Sequence, residues 1–141
     1  MAEERGRIIE RRKLENGIEL ILYDRSRIMS GDRWLVELVC EAHVPVADKS
    51  WDFMTEEEPQ LITEIRKMLG EKLSYSSSKT RTFVDGKEKE AALQEMMQQV
   101  YDSTLKYLKR HDFPGRLLKK QYRDARQQVM LREAMQKTTD D

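Results

Sequence analysis

With 141 residues, 38% hydrophobic and 37% charged, the chain has the length of one domain and enough apolar material for a core beneath a densely charged surface, which excludes disorder throughout. The 26 basic side chains balance 26 acidic ones, so no global field draws the protein to nucleic acid or membrane. Cys40 stands alone, which rules out an intramolecular disulfide; with no secretory leader and no apolar run of about 20 residues, a cytoplasmic location is expected.

Asn16-Gly17 lies between two extended runs, Arg7 to Leu14 and Ile18 to Tyr23. Both turn residues tolerate positive φ, so the sequence predicts a hairpin closed by a two-residue type I′ turn. Ser30, Gly31 and Asp32 form a second turn. From Trp34 to Val44, the set Trp34, Val36, Leu38, Cys40, Ala42 and Val44 alternates with Leu35, Glu37, Val39, Glu41 and His43. That alternation puts the first set on the core face of a third strand and completes a meander. Pro45 ends the run, and Trp51 to Met54 read as a loop whose aromatic residues cover one end of the sheet.

A helix starts between Thr55 and Pro59: Thr55 with Glu58 matches a capping box, while Pro59 suits the first position of a later start. Leu61, Ile62, Ile65, Met68 and Leu69 form its buried stripe, and Gly70 stops it. Leu73 to Val84, rich in Ser, Thr, Tyr and Phe, reads as a polar fourth strand suited to a sheet edge. Asp85 and Glu88 signal a long second helix, along which Leu93, Met96, Met97, Val100, Leu105 and Leu108 recur up to His111. Phe113-Pro114-Gly115 interrupts it, and Leu118, Tyr122, Ala125 and Val129 define a last helix. Met1 to Glu4 and Lys137 to Asp141 are expected to fray.

The expected architecture is one α+β domain over residues 1–141. It has a four-stranded antiparallel sheet, a meander over about 5–45 plus a strand near 73–84, packed by three helices within 55–136. The element order is β-β-β-α-β-α-α.

Residues that could carry chemistry are few. Cys40 and His43 have the spacing of half a zinc site, but three residues apart on a strand they point to opposite faces. No second cysteine completes a set, so Cys40 reads as a small buried hydrophobe. Glu41 and His43 share a face and can pair, which could orient a general base, but no nucleophile or second acid accompanies them. Glu56, Glu57 and Glu58 suit a helix start, and His111 a helix end, through the macrodipole alone. Neither GxGxxG, GxxxxGK[ST] nor GxSxG occurs, so no catalytic residue, cofactor site or metal ligand is assigned. Arg7 and Arg11, with Asp24, Ser26 and Gly31, partly resemble the RxxxR and DxSxxG elements of PilZ domains, which bind cyclic di-GMP. The glycine falls two residues late and the helical second half departs from that family's closed barrel, so the resemblance assigns no site.

Two surface features remain. Residues 1–70 hold 11 basic and 15 acidic side chains, and residues 71–141 hold 15 and 11. On the last helix Arg116, Lys119, Arg123 and Arg126, joined by Lys120, form a stripe at about 100 to 160 degrees from the apolar one, given 100 degrees per residue. That stripe could track phosphates with salt-sensitive affinity. The chain also has 8 methionines, among them Met96, Met97, Met130 and Met135, and with Tyr101, Tyr107 and Leu131 they offer the adaptable apolar surface of a homodimer. The expected function is a small non-enzymatic interaction or regulatory domain, self-associating through its helical half or binding a protein partner. The alternative is nucleic-acid or other polyanion binding through Arg116, Lys119, Lys120, Arg123 and Arg126. A membrane partner is not expected.

Overall fold

A computed structural model describes residues 6–54 and 56–140. In chain order the elements are β1 (Arg7–Lys13), β2 (Glu19–Asp24), β3 (Arg27–Ser30), β4 (Arg33–Pro45), a 3-10 turn (Asp48–Phe53), α1 (Pro59–Leu69), β5 (Lys72–Asp85), α2 (Lys89–Gln99), a π-helical turn (Val100–Thr104), α3 (Leu105–Leu108) and α4 (Phe113–Asp140). They group into two compact units. One comprises the chain up to Val44 together with Ser74–His111, the other Pro45–Leu73 and the chain from Asp112 onward.

The first unit holds an open antiparallel sheet, so the expected α+β class holds, with five strands in place of four. The additional strand is β3. Asp24 lies opposite Leu38 and Arg27 opposite Leu35, a single register, so β2 and β3 run as one interrupted strand along one edge of β4. The interruption comes from short polar side chains that bond to nearby backbone: Asp24 Oδ1 accepts from Ser26 N–H (2.9 Å), and Ser26 Oγ accepts from Glu37 N–H (3.2 Å). β5 pairs with β4 on its remaining edge.

The hairpin at Asn16-Gly17 forms through three loop residues instead of a two-residue type I′ turn. Leu14 N–H donates to the Ile18 carbonyl (2.8 Å) and Gly17 N–H to the Leu14 carbonyl (3.0 Å). Gly17 alone takes positive φ, at 86°, while Asn16 does not, the pattern of a turn followed by a glycine bulge. The Asn16 side chain is engaged elsewhere. Its Oδ1 accepts from Ile18 N–H (3.3 Å), and its Nδ2 donates to the Leu108 carbonyl (2.9 Å), tying the hairpin to the end of α3.

Val36, Leu38, Cys40, Ala42 and Val44 are buried along β4, as the alternation predicts. On β2, Leu20, Ile21, Leu22 and Tyr23 are buried in succession, so both sheet faces are covered at the centre, not one. Across one face, α2, the π turn and α3 make a continuous rod in which Leu93, Met96, Val100, Leu105 and Leu108 are buried. The five-residue step from Val100 to Leu105 would leave the stripe of an α-helix; the π turn absorbs it, with Leu105 N–H bonded to the Val100 carbonyl. The Tyr101 hydroxyl donates to Glu10 of β1, and Arg81 of β5 pairs with Glu95 at 2.6 Å, so the rod is fastened to both edge strands. The capping box expected at Asp85 and Glu88 is absent. Asp85 Oδ1 instead accepts from Lys87 N–H (3.0 Å) and its carbonyl from Glu88 N–H (2.8 Å), so a tight turn precedes the helix, which begins at Lys89.

In the second unit Pro59 opens α1 behind Glu58, the later of the two predicted starts, while Thr55 lies outside the described residues. Gly70 ends α1 at positive φ (76°), its N–H on the Arg66 carbonyl (2.9 Å). The predicted stripe of α1 is narrower than expected: Ile65 is buried, Leu61, Ile62 and Leu69 are half-buried, and Met68 is exposed. Trp51 is buried in the 3-10 turn and meets the Tyr122 ring edge-on at 6.4 Å, as Phe53 does at 5.6 Å. On α4, Leu117, Leu118, Tyr122, Ala125 and Val129 are buried. α4 starts at Phe113 itself, with Pro114 and Gly115 in its first turn, so the break lies in the residues before them. Its end is helical through Asp140, where fraying was expected, and the Thr138 hydroxyl donates to the Ala134 carbonyl (3.0 Å). Met1 to Glu4 and Asp141 lie outside the described residues.

Candidate functional site

The basic stripe predicted on α4 forms as a helical face, but its charges are not equally free. Arg116 Nε is 3.1 Å from Asp112 Oδ2, one turn earlier, and Arg126 Nε is 2.6 Å from Glu57 Oε1 ahead of α1. The Lys119 ammonium lies 5.8 Å from the centre of the Phe53 ring. Lys120 and Arg123 are exposed and have no ion-pair partner among the described residues. Five candidate cations thus reduce to two that are uncommitted.

A different feature of α4 lies one turn further on. Every described side chain from Met130 to Thr138 is exposed, including Met130 (39%), Leu131 (55%) and Met135 (66%). At 100 degrees per residue, Leu131 lies about 200 degrees around the helix from Val129 and Met135 about 240 degrees, whereas Leu118 falls within about 20 degrees of Val129. Leu131 and Met135 instead share the side of Phe113 and Leu117, five whole turns earlier, which are buried at the start of the helix. Leu131 and Met135 thus lie off the side of Leu118, Tyr122, Ala125 and Val129, which Arg132, directed towards Glu64 (3.6 Å), continues. Of the methionines grouped in the sequence, Met96 is buried and Met97 half-buried, while Met130 and Met135 are exposed. Tyr101 is half-buried and Tyr107 exposed.

Within the second unit the Tyr122 hydroxyl is buried with no hydrogen-bond partner among the described residues. Burial raises its pKa, the Glu57 carboxylate raises it further, and Arg126 opposes both. Glu56, Glu57, Glu58, Glu64 and Glu133 border a cleft of about 460 Å³ beside Arg126. Among the described residues no group of three His, Cys, Asp or Glu side chains is placed to hold a metal ion.

The other candidates from the sequence are accounted for locally. Cys40 is buried, and burial pushes its thiol up to about 11 against a smaller opposing effect from a Ser77 hydrogen bond, so the reactive thiolate is scarce near neutral pH. His43 Nε2 lies 2.8 Å from Glu41 Oε1, both half-buried on the sheet face away from the rod, as their spacing predicts. Arg7 pairs with Asp24 (3.3 Å) and Arg11 with Glu19 (3.2 Å) across an open sheet, so these arginines serve the hairpin. Phe83 is the one non-glycine described residue at positive φ, 57°, and is 65% exposed; no signal in the sequence points to it. No helix among the described residues is long and apolar enough to cross a membrane.

Comparisons of the protein with family models, with curated proteins and with solved structures each find no match.

Proposed function

We propose that the protein is an interaction module that self-associates through the C-terminal half of α4. The observation behind this reading is the exposed patch of Met130, Leu131 and Met135 on a helix end along which no described side chain is buried. A helical extension of about nine residues with no buried side chain is held only by propagation from the packed part of α4 and gains nothing from tertiary packing, the main source of helix stability in proteins. A covering partner supplies the missing contacts. A second copy suits that role. From Asp124 to Asp140 the helix carries three basic residues (Arg126, Arg132, Lys137) and three acidic ones (Asp124, Glu133, Asp140), so two such segments do not repel. Antiparallel pairing centred on Glu133 sets Leu131 of each copy against Met135 of the other. Fully burying a side chain of this size contributes about 1.5–3 kcal/mol, and these are already partly covered, so after the cost of association a weak, concentration-dependent dimer is expected.

The alternative, polyanion binding through Arg116, Lys119, Lys120, Arg123 and Arg126, draws support from the uncommitted cations Lys120 and Arg123, and is weakened by the carboxylates already paired with Arg116 and Arg126. Light scattering over a concentration series separates the two readings. Leu131→Ser with Met135→Ser should return the protein to monomer, with salt having little effect on the parent dimer. A parent that is monomeric throughout, and that binds an oligonucleotide lost on Lys120→Glu with Arg123→Glu, would overturn the first reading in favour of the second.

A further inference from the structure

In the first unit, the end of β1 and the residues that follow α3 border a cleft of about 480 Å³. Its charged lining is Arg12, Lys13, Lys109 and His111 against the single carboxylate of Glu15. The walls are held before any ligand arrives. Asn16, also in the lining, fastens the hairpin loop to the Leu108 carbonyl at 2.9 Å, so the strand carrying Lys13 and the segment carrying Lys109 are joined by a side-chain bond. Arg12 is fixed as well. Its Nη2 lies 2.8 Å from Glu10 Oε1 and its guanidinium 4.8 Å from the centre of the Tyr101 ring, and Tyr101 bonds to the same Glu10.

The remaining cations have no such commitment. Lys13 faces Glu19 across the ladder, but Glu19 pairs with Arg11 at 3.2 Å. Lys13, Lys109 and His111 are exposed and have no ion-pair partner among the described residues. Cations near a helix C-terminus are favoured by its dipole, and that accounts for a lysine or histidine after α3. It does not account for Lys13, which comes from another element, nor for a shared hollow, and the last α3 carbonyl at the site is already satisfied by Asn16.

We infer that this cleft binds a compact anion of the phosphate class, free or as the monoester of a small molecule, with Lys13 and Lys109 as its main charge partners and His111 as a further donor. Ammonium groups suit a phosphate as point charges with several donors each, and a frame fixed in advance spares the ligand the cost of assembling them. A small anion fits better than a polymer. The cations border one hollow instead of running along a track, with Glu15 among them, and Glu10 and Glu19 lie on the flanking strands, where the next phosphates of a polynucleotide would meet carboxylates. The site shares no residue with the self-association patch, so either can fail alone.

The test is an amide-shift titration of the full chain with inorganic phosphate, then with pyrophosphate, with chloride at matched ionic strength as the blank. Saturable shifts confined to residues 12–16 and 108–111 are expected. Lys13→Gln with Lys109→Gln should weaken the affinity by about tenfold or more, since losing one charge-assisted contact of about 1.4 kcal/mol is a factor of ten. Lys120→Gln with Arg123→Gln on α4 should change nothing. The inference is overturned if phosphate shifts no more than chloride, if the shifts survive the Lys13 and Lys109 changes, or if they centre on α4. A single-stranded oligonucleotide serves as a further arm. Tighter binding of the oligonucleotide than of pyrophosphate at these same residues would overturn the compact-ligand assignment, and weaker or no binding supports it.

Discussion

The two halves of α4 obey the same helical geometry and meet opposite fates. From Phe113 to Val129 the helix buries Phe113, Leu117, Leu118, Tyr122, Ala125 and Val129; from Met130 to Thr138 Leu131 and Met135 keep a four-residue spacing and are exposed. Spacing makes a stripe, but burial depends on which side the stripe is on and what faces it. The first half meets Trp51 and Phe53 of the 3-10 turn through Tyr122, whereas no described side chain of the second half is buried.

Substitutions along α4 put the comparison to a direct test. Leu118→Ala, at a fully buried position, should cost about 2–5 kcal/mol of unfolding free energy in a denaturant titration, while Leu131→Ala should stay within about 0.5 kcal/mol for the monomer. Equal costs at the two positions would show that Leu131 is covered within the chain and would remove the basis for self-association.

β4 supplies a buried group whose effect is read by pH. The Cys40 thiol, with an unfolded value of 9.0 and a folded value raised to about 11, stays neutral in the fold where the unfolded chain ionises. Its contribution is complete below pH 9.0 and is lost as pH rises towards about 11, an effect on the order of 2–3 kcal/mol at 1.36 kcal/mol per unit. The difference between the parent and Cys40→Ala should therefore shrink across that interval. A constant difference would mean the thiol reaches solvent.

The smallest expected change tests the buried half of α4 from within. Tyr122→Phe removes a buried hydroxyl that has no partner among the described residues, so unfolding free energy should rise by about 1 kcal/mol and not fall. A loss of comparable size would reveal a hydrogen bond made by that hydroxyl.

Much of the fold can be read from local pattern because the physics there is local. Alternation along Val36 to Val44 marks the core face of β4, the spacing of Leu118 to Val129 marks that of α4, and Gly70 marks the end of α1. Errors arise where one side chain had two possible uses. Asn16 could have taken positive φ in a tight turn but bonds to Leu108 instead, and Asp85 could have capped a helix but closes a turn. β3 was missed because Asp24 and Ser26 look like a loop until β4 lies alongside to accept their register. The candidate basic stripe was legible as a face, but the two carboxylates that neutralise its ends are not equally so. Asp112 is one turn away in sequence, and Glu57 reaches Arg126 only through the tertiary fold.

By itself the sequence determined the α+β class, the core faces of β4 and α4 and the five-residue step that the π turn absorbs. These follow from fixed periods of two residues in a strand and about 3.6 in a helix, which any stretch of chain carries with it. Tertiary structure alone decided that Arg126 is spent on Glu57, that Lys13 and Lys109 border one cleft, and that Phe83 adopts a backbone conformation rare for its side chain. Such outcomes depend on residues far apart in sequence being brought within a few ångströms, and no local period encodes that distance.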